Sequence, residues 1–219
     1  MIVYDGPSMI DGKPIVVALT GVKRKSANPK TGDMVQAWII RKDIHPVEAV
    51  EKGEDRAICG DCPARGTYCY VNVGQAPAAV FKALGKYERL SVEDAAVKLT
   101  GRKVRLGAYG DPAAVPIGVW DRLLKFAAGH TGYTHQWREF PEFKRLVMAS
   151  VEGDTVAPGW RTFRVLREGE SDRANEIRCP AESKRRTCET CMACNGGSDT
   201  KRSVTIMVHG AKAGRINLL

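Results

Sequence analysis

An α/β fold of about six mostly parallel strands, a parallel sheet or partial (β/α) barrel, is what this sequence predicts. Three observations predict it. From residue 104 onward, a short apolar run, a loop or helix and another short run recur about five or six times, a pattern that builds parallel α/β sheets. Ahead of them, two strand-like runs flank a turn-rich loop, which predicts an N-terminal β-hairpin. With 219 residues, 43% of them hydrophobic, the chain can bury a full core. We therefore expect a single domain over 1–219. Its parts would be an N-terminal hairpin region (1–45), an α/β core (46–178), and a last strand with a second cysteine group (179–219).

Each element has its own signal. Ile15 to Thr20 and Met34 to Ile40 are the two hairpin strands. Between them the Asn28-Pro29 and Thr31-Gly32-Asp33 steps are turn formers, and Lys23, Arg24, Lys25 and Lys30 make the tip basic. His45-Pro46 starts a short helix that Gly53 ends. Ala76 to Lys86 has helical spacing, with Val80, Phe81 and Leu84 on one face. Ser91 is an N-cap with acidic residues after it. Val104 to Tyr109 reads as a buried strand running into Gly110-Asp111-Pro112, and Trp120 to Ala128 as an amphipathic helix closed by Gly129. Further strands are expected over 132–137, 146–150, 160–166, 177–180 and 204–209.

Functional groups gather at the carboxyl ends of parallel strands. The polar residues expected there are Tyr109 to Pro112, His135-Gln136-Trp137, Ser150 to Glu152, Arg164, Cys179 and His209, and they are expected to line one face. Gly196-Gly197-Ser198-Asp199 is the flexible candidate. Trp120, Trp137 and Trp160 are expected in the core or on a pocket wall.

The formal net charge of +9 favours an anionic partner, nucleic acid or an anionic substrate first. Lys23, Arg24, Lys25 and Lys30, with Lys184, Arg185 and Arg186, form two basic patches that suit a phosphate backbone or a solvated surface. No apolar run is long enough to cross a membrane and no signal-peptide pattern opens the chain, so a cytoplasmic protein with no membrane partner is expected. Neither a Walker motif, a dinucleotide glycine motif nor a serine or cysteine triad signature is present.

All seven cysteines fall in two groups: Cys59, Cys62 and Cys69, then Cys179, Cys188, Cys191 and Cys194. In a reducing cytosol such grouping favours ligands over disulfides. The second group supplies four thiolates, which suits a 4Fe-4S cluster or a tetrahedral zinc ion. Its segment has almost no large apolar side chains, so a metal is expected to hold this C-terminal loop in place. The first group supplies three thiolates. A 4Fe-4S cluster bound by three cysteines leaves one iron open, whereas His45, His135 or another group would complete a zinc site.

The order of parts resembles the radical S-adenosylmethionine superfamily. The residues that carry the resemblance are the strand Met34 to Ile40, the cysteine loop ending Tyr68-Cys69, and Val104 to Tyr109 followed by Gly110-Asp111-Pro112. The chain is also similar to small phage-borne proteins, which would place it in a host cytoplasm. The spacing departs from the superfamily's usual three residues and then two: here two residues separate Cys59 from Cys62, and six separate Cys62 from Cys69. The resemblance implies a partial (β/α) barrel, S-adenosylmethionine on the open iron, an electron donor, and a 5′-deoxyadenosyl radical that abstracts hydrogen from a substrate such as a nucleotide or nucleic acid. It further implies that Gly110 and Asp111 contact the ligand's ammonium, with Tyr68 and His135 beside it. A metal-stabilised, noncatalytic nucleic-acid-binding protein is the alternative.

Overall fold

The computed structural model describes residues 1–26, 28–183, 186–197 and 201–218. Hydrophobic runs become ten strands: β1 (Ile2–Pro7), β2 (Pro14–Thr20), β3 (Val35–Arg41), β4 (Lys103–Tyr109), β5 (Gly129–Thr131), β6 (Tyr133–Thr134), β7 (Met148–Glu152), β8 (Thr162–Leu166), β9 (Glu176–Arg178) and β10 (Ser203–Met207). They form two five-stranded sheets, ordered β1-β2-β3-β4-β5 and β6-β7-β8-β10-β9. Ten strands replace the expected six or so. The class is α/β as predicted.

The expected hairpin forms, with β2 and β3 antiparallel from Ile15 opposite Arg41 to Thr20 opposite Gln36. β1 extends it by a further antiparallel pairing, an element that the sequence reading missed. Its Ile2 and Val3 are buried, but the run is short and breaks at Asp5-Gly6-Pro7, which hides the strand signal. Beyond β3 every pairing is parallel. Gly132 alone separates β5 from β6, and its carbonyl accepts from Met148 N–H at 3.2 Å. A Cβ there would lie 2.9 Å from Val147 and 3.1 Å from Leu106. Glycine thus lets one segment close the first sheet and open the second.

Six helices accompany the sheets: α1 (Pro46–Glu51), α2 (Arg56–Cys59), α3 (Ala76–Ala83), α4 (Val92–Lys98), α5 (Ile117–Leu123) and α6 (Cys188–Cys191). His45 caps α1 by accepting from Val47 N–H at 3.3 Å. Ser91 caps α4 by accepting from Asp94 N–H at 3.0 Å. The helix expected over 120–128 instead runs Ile117–Leu123, because Pro116 suits a helix start and Leu124 ends the helix. Gly129 opens β5 rather than closing a helix.

The main core lies under the first sheet and its helices, with Ile15, Ile39, Leu99, Val104, Leu106 and Trp120 in one cluster. Trp120 is fully buried and donates to Pro112 O at 2.9 Å. Trp137 and Trp160 pack edge to face at 6.4 Å in a smaller cluster. None of the three tryptophans lines the large cavity described below. Among the described residues, no helix is long and apolar enough to cross a membrane.

Candidate functional site

Alternation along parallel strands builds one cavity of about 410 Å³. In β4, Val104 and Leu106 face the core while Arg105, Gly107 and Tyr109 face the cavity. The same period of two presents Thr131, Tyr133 and His135 from the β5–β6 segment, then Ser150 and Glu152 from β7. Phe163 and Val165 follow from β8, and Val204 and Ile206 from β10. Of the strand-end residues expected on one face, Tyr109, Gly110, Asp111, His135, Ser150, Glu152, Cys179 and His209 do line it. Arg164 does not. It points the other way and forms a two-point ion pair with Glu176, at 2.8 and 2.6 Å.

Both cysteine groups reach this cavity, and all seven thiols are on its wall and free of disulfides. The first loop is shaped by Gln136, whose amide donates to Cys59 O at 3.1 Å. Gly60 has φ of 54°, and a Cβ there would meet the Gln136 side chain at 2.3 Å. Arg65 spans the loop's base to buried Asp55 at 2.8 Å. Cys69 N–H donates back to Ala64 O at 3.0 Å.

The second loop docks by polar contacts. Cys188 N–H donates to Lys30 O at 3.0 Å and Glu189 N–H to Thr31 O at 3.1 Å, so the loop pairs with the hairpin tip. Lys103 donates to Glu189 O at 2.7 Å. From inside the loop, Arg161 donates to Ala193 O at 2.9 Å, Arg202 O at 2.7 Å and Lys201 O at 3.2 Å. It also reaches both oxygens of Asn195. The expectation that a metal must hold this segment is therefore incomplete, because carbonyl groups, not apolar side chains, supply the anchor points. Gly196 and Gly197, expected to be flexible, donate to Leu146 O at 3.1 Å and Lys144 O at 3.0 Å. Ser198 and Asp199, like Lys184 and Arg185 of the second basic patch, lie outside the described residues; Arg186 is exposed.

Burial dominates the electrostatics here. It pushes the thiols of Cys59, Cys62 and Cys69 up, and negative neighbours add to this: Cys62, Asp55 and Cys69 around Cys59. Cys194 is raised by burial and then by Cys179, Cys188 and Cys191, and Cys188 by burial against the opposing pull of Arg105. Such thiols stay protonated near neutrality unless a cation compensates their charge. In donor chemistry the residues fit a thiolate-bound metal group, since coordination deprotonates a thiol outright. Among the described residues, no three His, Cys, Asp or Glu side chains stand close enough to hold a single metal ion.

Asp111 is buried, and burial pushes its carboxyl up to about 6 against hydrogen bonds that favour the charged form. One oxygen accepts from Ala113 N–H at 2.9 Å and the other from His135 N–H at 2.8 Å. His135 is held at about 4 by burial, so its ring is neutral. Its Nε2 lies 3.6 Å from Cys62 Sγ and 4.0 Å from Glu152 Oε1. Gly110 has φ of 82°, and a Cβ there would sit 2.7 Å from Ile39 O, so close strand packing accounts for that glycine. Tyr68 Oη, Tyr109 Oη and Glu152 Oε1 are buried on the cavity side without a hydrogen-bond partner among the described residues.

Arg105, Tyr70 and Tyr133 are cavity residues that the sequence reading passed over. Arg105 donates to Tyr70 Oη, which lies 3.1 Å from Tyr133 Oη. The available signal was a cation between Val104 and Leu106, two core positions of β4. His45 caps α1 and is no part of the cavity, while His209 stacks on Tyr70 at 5.3 Å. His130 Nε2–H donates to Leu146 O at 2.8 Å. The chain matches no family model, no curated protein and no solved structure.

Proposed function

We propose that this chain is an iron–sulfur protein of the radical S-adenosylmethionine type, built on a partial (β/α) barrel that opens onto the cavity. Cys59, Cys62 and Cys69 would hold a 4Fe-4S cluster with one iron open to S-adenosylmethionine. Cys179, Cys188, Cys191 and Cys194 would hold a second centre, 4Fe-4S in preference to zinc. The observation that carries this reading is the meeting of all seven thiols, from loops more than a hundred residues apart, on the wall of one cavity. The chemistry such a cluster would supply when bound is one electron for cleavage of a sulfonium carbon–sulfur bond. An external electron donor must deliver that electron.

The chain's own groups have distinct roles in this reading. Asp111, with Gly110 beside it, meets the ammonium of the ligand through its carboxylate, which also accepts from Ala113 and His135 N–H. Neutral His135 lies beside Cys62 and Glu152, where it takes or gives a hydrogen bond without adding charge. The unpartnered Tyr68 and Tyr109 hydroxyls and the Glu152 carboxylate supply polar contacts, because a buried polar group without a partner costs about 1–3 kcal/mol that a ligand contact recovers.

Iron, sulfide and zinc analysis of anaerobically prepared protein tests the reading, followed by dithionite and S-adenosylmethionine with a search for 5′-deoxyadenosine. Iron with equivalent sulfide, reduced by Cys→Ser changes in either group, is expected. Colourless protein carrying zinc and yielding no 5′-deoxyadenosine would overturn it. That result would select the noncatalytic nucleic-acid-binding alternative, which the exposed Lys23, Arg24 and Lys25 favour.

A further inference from the structure

Two cations line the cavity without a carboxylate partner among the described residues. Other arginines of the chain are paired with carboxylates: Arg65 with Asp55, Arg102 with Asp33 and Arg164 with Glu176. Arg105 is not. Among the described residues it forms no ion pair with a carboxylate and donates instead to the hydroxyl of Tyr70. Lys30, on the hairpin tip, likewise has no carboxylate partner and donates to His209 Nε2 at 3.0 Å. That direction follows from His209 Nδ1, which lies 2.9 Å from Met207 O and so carries the ring proton.

These groups converge. Lys30 donates to His209, whose ring stacks on Tyr70 at 5.3 Å, and Tyr70 Oη in turn accepts from Arg105, and all line the same cavity as Tyr133. A guanidinium remains charged at any working pH, and Arg105 is half-buried on the cavity wall, where lacking a counter-charge carries part of the desolvation cost. An anion entering the cavity removes that cost. The fork of Arg105, the ammonium of Lys30 and the hydroxyls of Tyr70 and Tyr133 together offer more donors than a carboxylate's two oxygens engage well. They match the three oxygens of a phosphate monoester, which Arg binds bidentately and Lys as a point charge. Beside them, Phe163 and Tyr133 stack at 4.3 Å, and with Val204 and Ile206 they make the wall apolar. A cavity of about 410 Å³ falls in the roughly 300–1,000 Å³ range of small-molecule sites.

We infer that Arg105 and Lys30, with the hydroxyls of Tyr70 and Tyr133, form the binding site for a phosphate monoester group of a small-molecule substrate, a nucleoside monophosphate being the class that also uses the apolar wall. This inference rests on reading the cavity as the place of the chemistry, and it names the substrate class for it.

The test titrates the anaerobically prepared full chain calorimetrically with inorganic phosphate, adenosine monophosphate, adenosine and acetate, and measures metal content on the same samples. Adenosine monophosphate is expected to bind more tightly than phosphate, and adenosine and acetate much more weakly than either. Arg105→Gln should weaken the monophosphate by about tenfold or more, as befits a lost charge-assisted contact. Arg105→Lys should restore part of that affinity, and Lys30→Gln should cost several-fold, all with metal content unchanged. No measurable binding of either phosphate probe would overturn the inference, as would equal affinity in wild type and Arg105→Gln. So would loss of metal from the Arg105 variants in proportion to the lost affinity, since the cation would then be balancing the thiolates. Metal without phosphate affinity sinks this inference alone, and phosphate affinity without iron sinks the cluster reading alone.

Discussion

Removing Arg161 tests whether protein contacts, and not only a metal, position the second cysteine loop. The side chain is 8% exposed and donates to carbonyls of Ala193, Asn195, Lys201 and Arg202. Hydrogen bonds to a charged group are worth about 1.5–3 kcal/mol each, and contacts from one group are not additive. Burial of the guanidinium offsets part of the gain, since desolvation lowers its pKa. Arg161→Met keeps the aliphatic volume and loses every donor, so a net loss of about 3 kcal/mol is expected. Because the contacts bracket one segment, the loss should fall on local opening of that loop. Amide hydrogen exchange reads it directly. Gly196 N–H and Gly197 N–H, bonded to Leu146 O and Lys144 O, should exchange about a hundredfold faster, while amides of β2 and β3 stay unchanged. Protection at those glycines within about twofold of wild type would refute the reasoning and return the loop to metal control alone.

Two further perturbations probe the frame around the cavity. Gly110→Ala places a Cβ 2.7 Å from Ile39 O at φ of 82°, which should cost at least about 1–3 kcal/mol; an unchanged denaturant midpoint would show that β3 and β4 pack differently there. Glu176, whose burial alone would raise its carboxyl, is held below the usual carboxylate range by Arg164 and the Arg173 N–H. Its stabilisation is therefore full above the ordinary glutamate pKa of about 4.3 and is lost as pH falls through the lower folded value. Glu176→Gln, by leaving buried Arg164 with only Glu170 at 3.9 Å as a counter-charge, should cost about 3 kcal/mol near neutral pH, and the gap to wild type should narrow on acidification. A pH-independent gap in urea melts would contradict the pairing.

Local signals in the sequence identified the elements that local physics controls. Turn residues and flanking β-formers set the β2–β3 hairpin, and Ser91 set the start of α4. Clustered cysteines identified the candidate site before any coordinates, because the grouping of a rare, reactive residue has no packing explanation. Where two local signals competed, the reading slipped. The amphipathic pattern over 120–128 predicts a later helix than α5, which starts after Pro116 and ends at Leu123. β1 was missed because its stability comes from pairing with β2 rather than from its own residues.

What the sequence determined by itself was the set of groups and their chemistry: thiols in two batches, a surplus of positive charge, and strands that alternate in face. Only the tertiary structure decided which of them meet. Parallel pairing turned Arg105, Tyr133, His135 and Glu152 inward from separate strands and Arg164 outward to Glu176. Folding also brought the hairpin tip against the second loop, Lys30 O to Cys188 N–H and Thr31 O to Glu189 N–H. Such meetings depend on register between segments distant in the chain, and a one-residue slip sends every side chain of a strand to the opposite face.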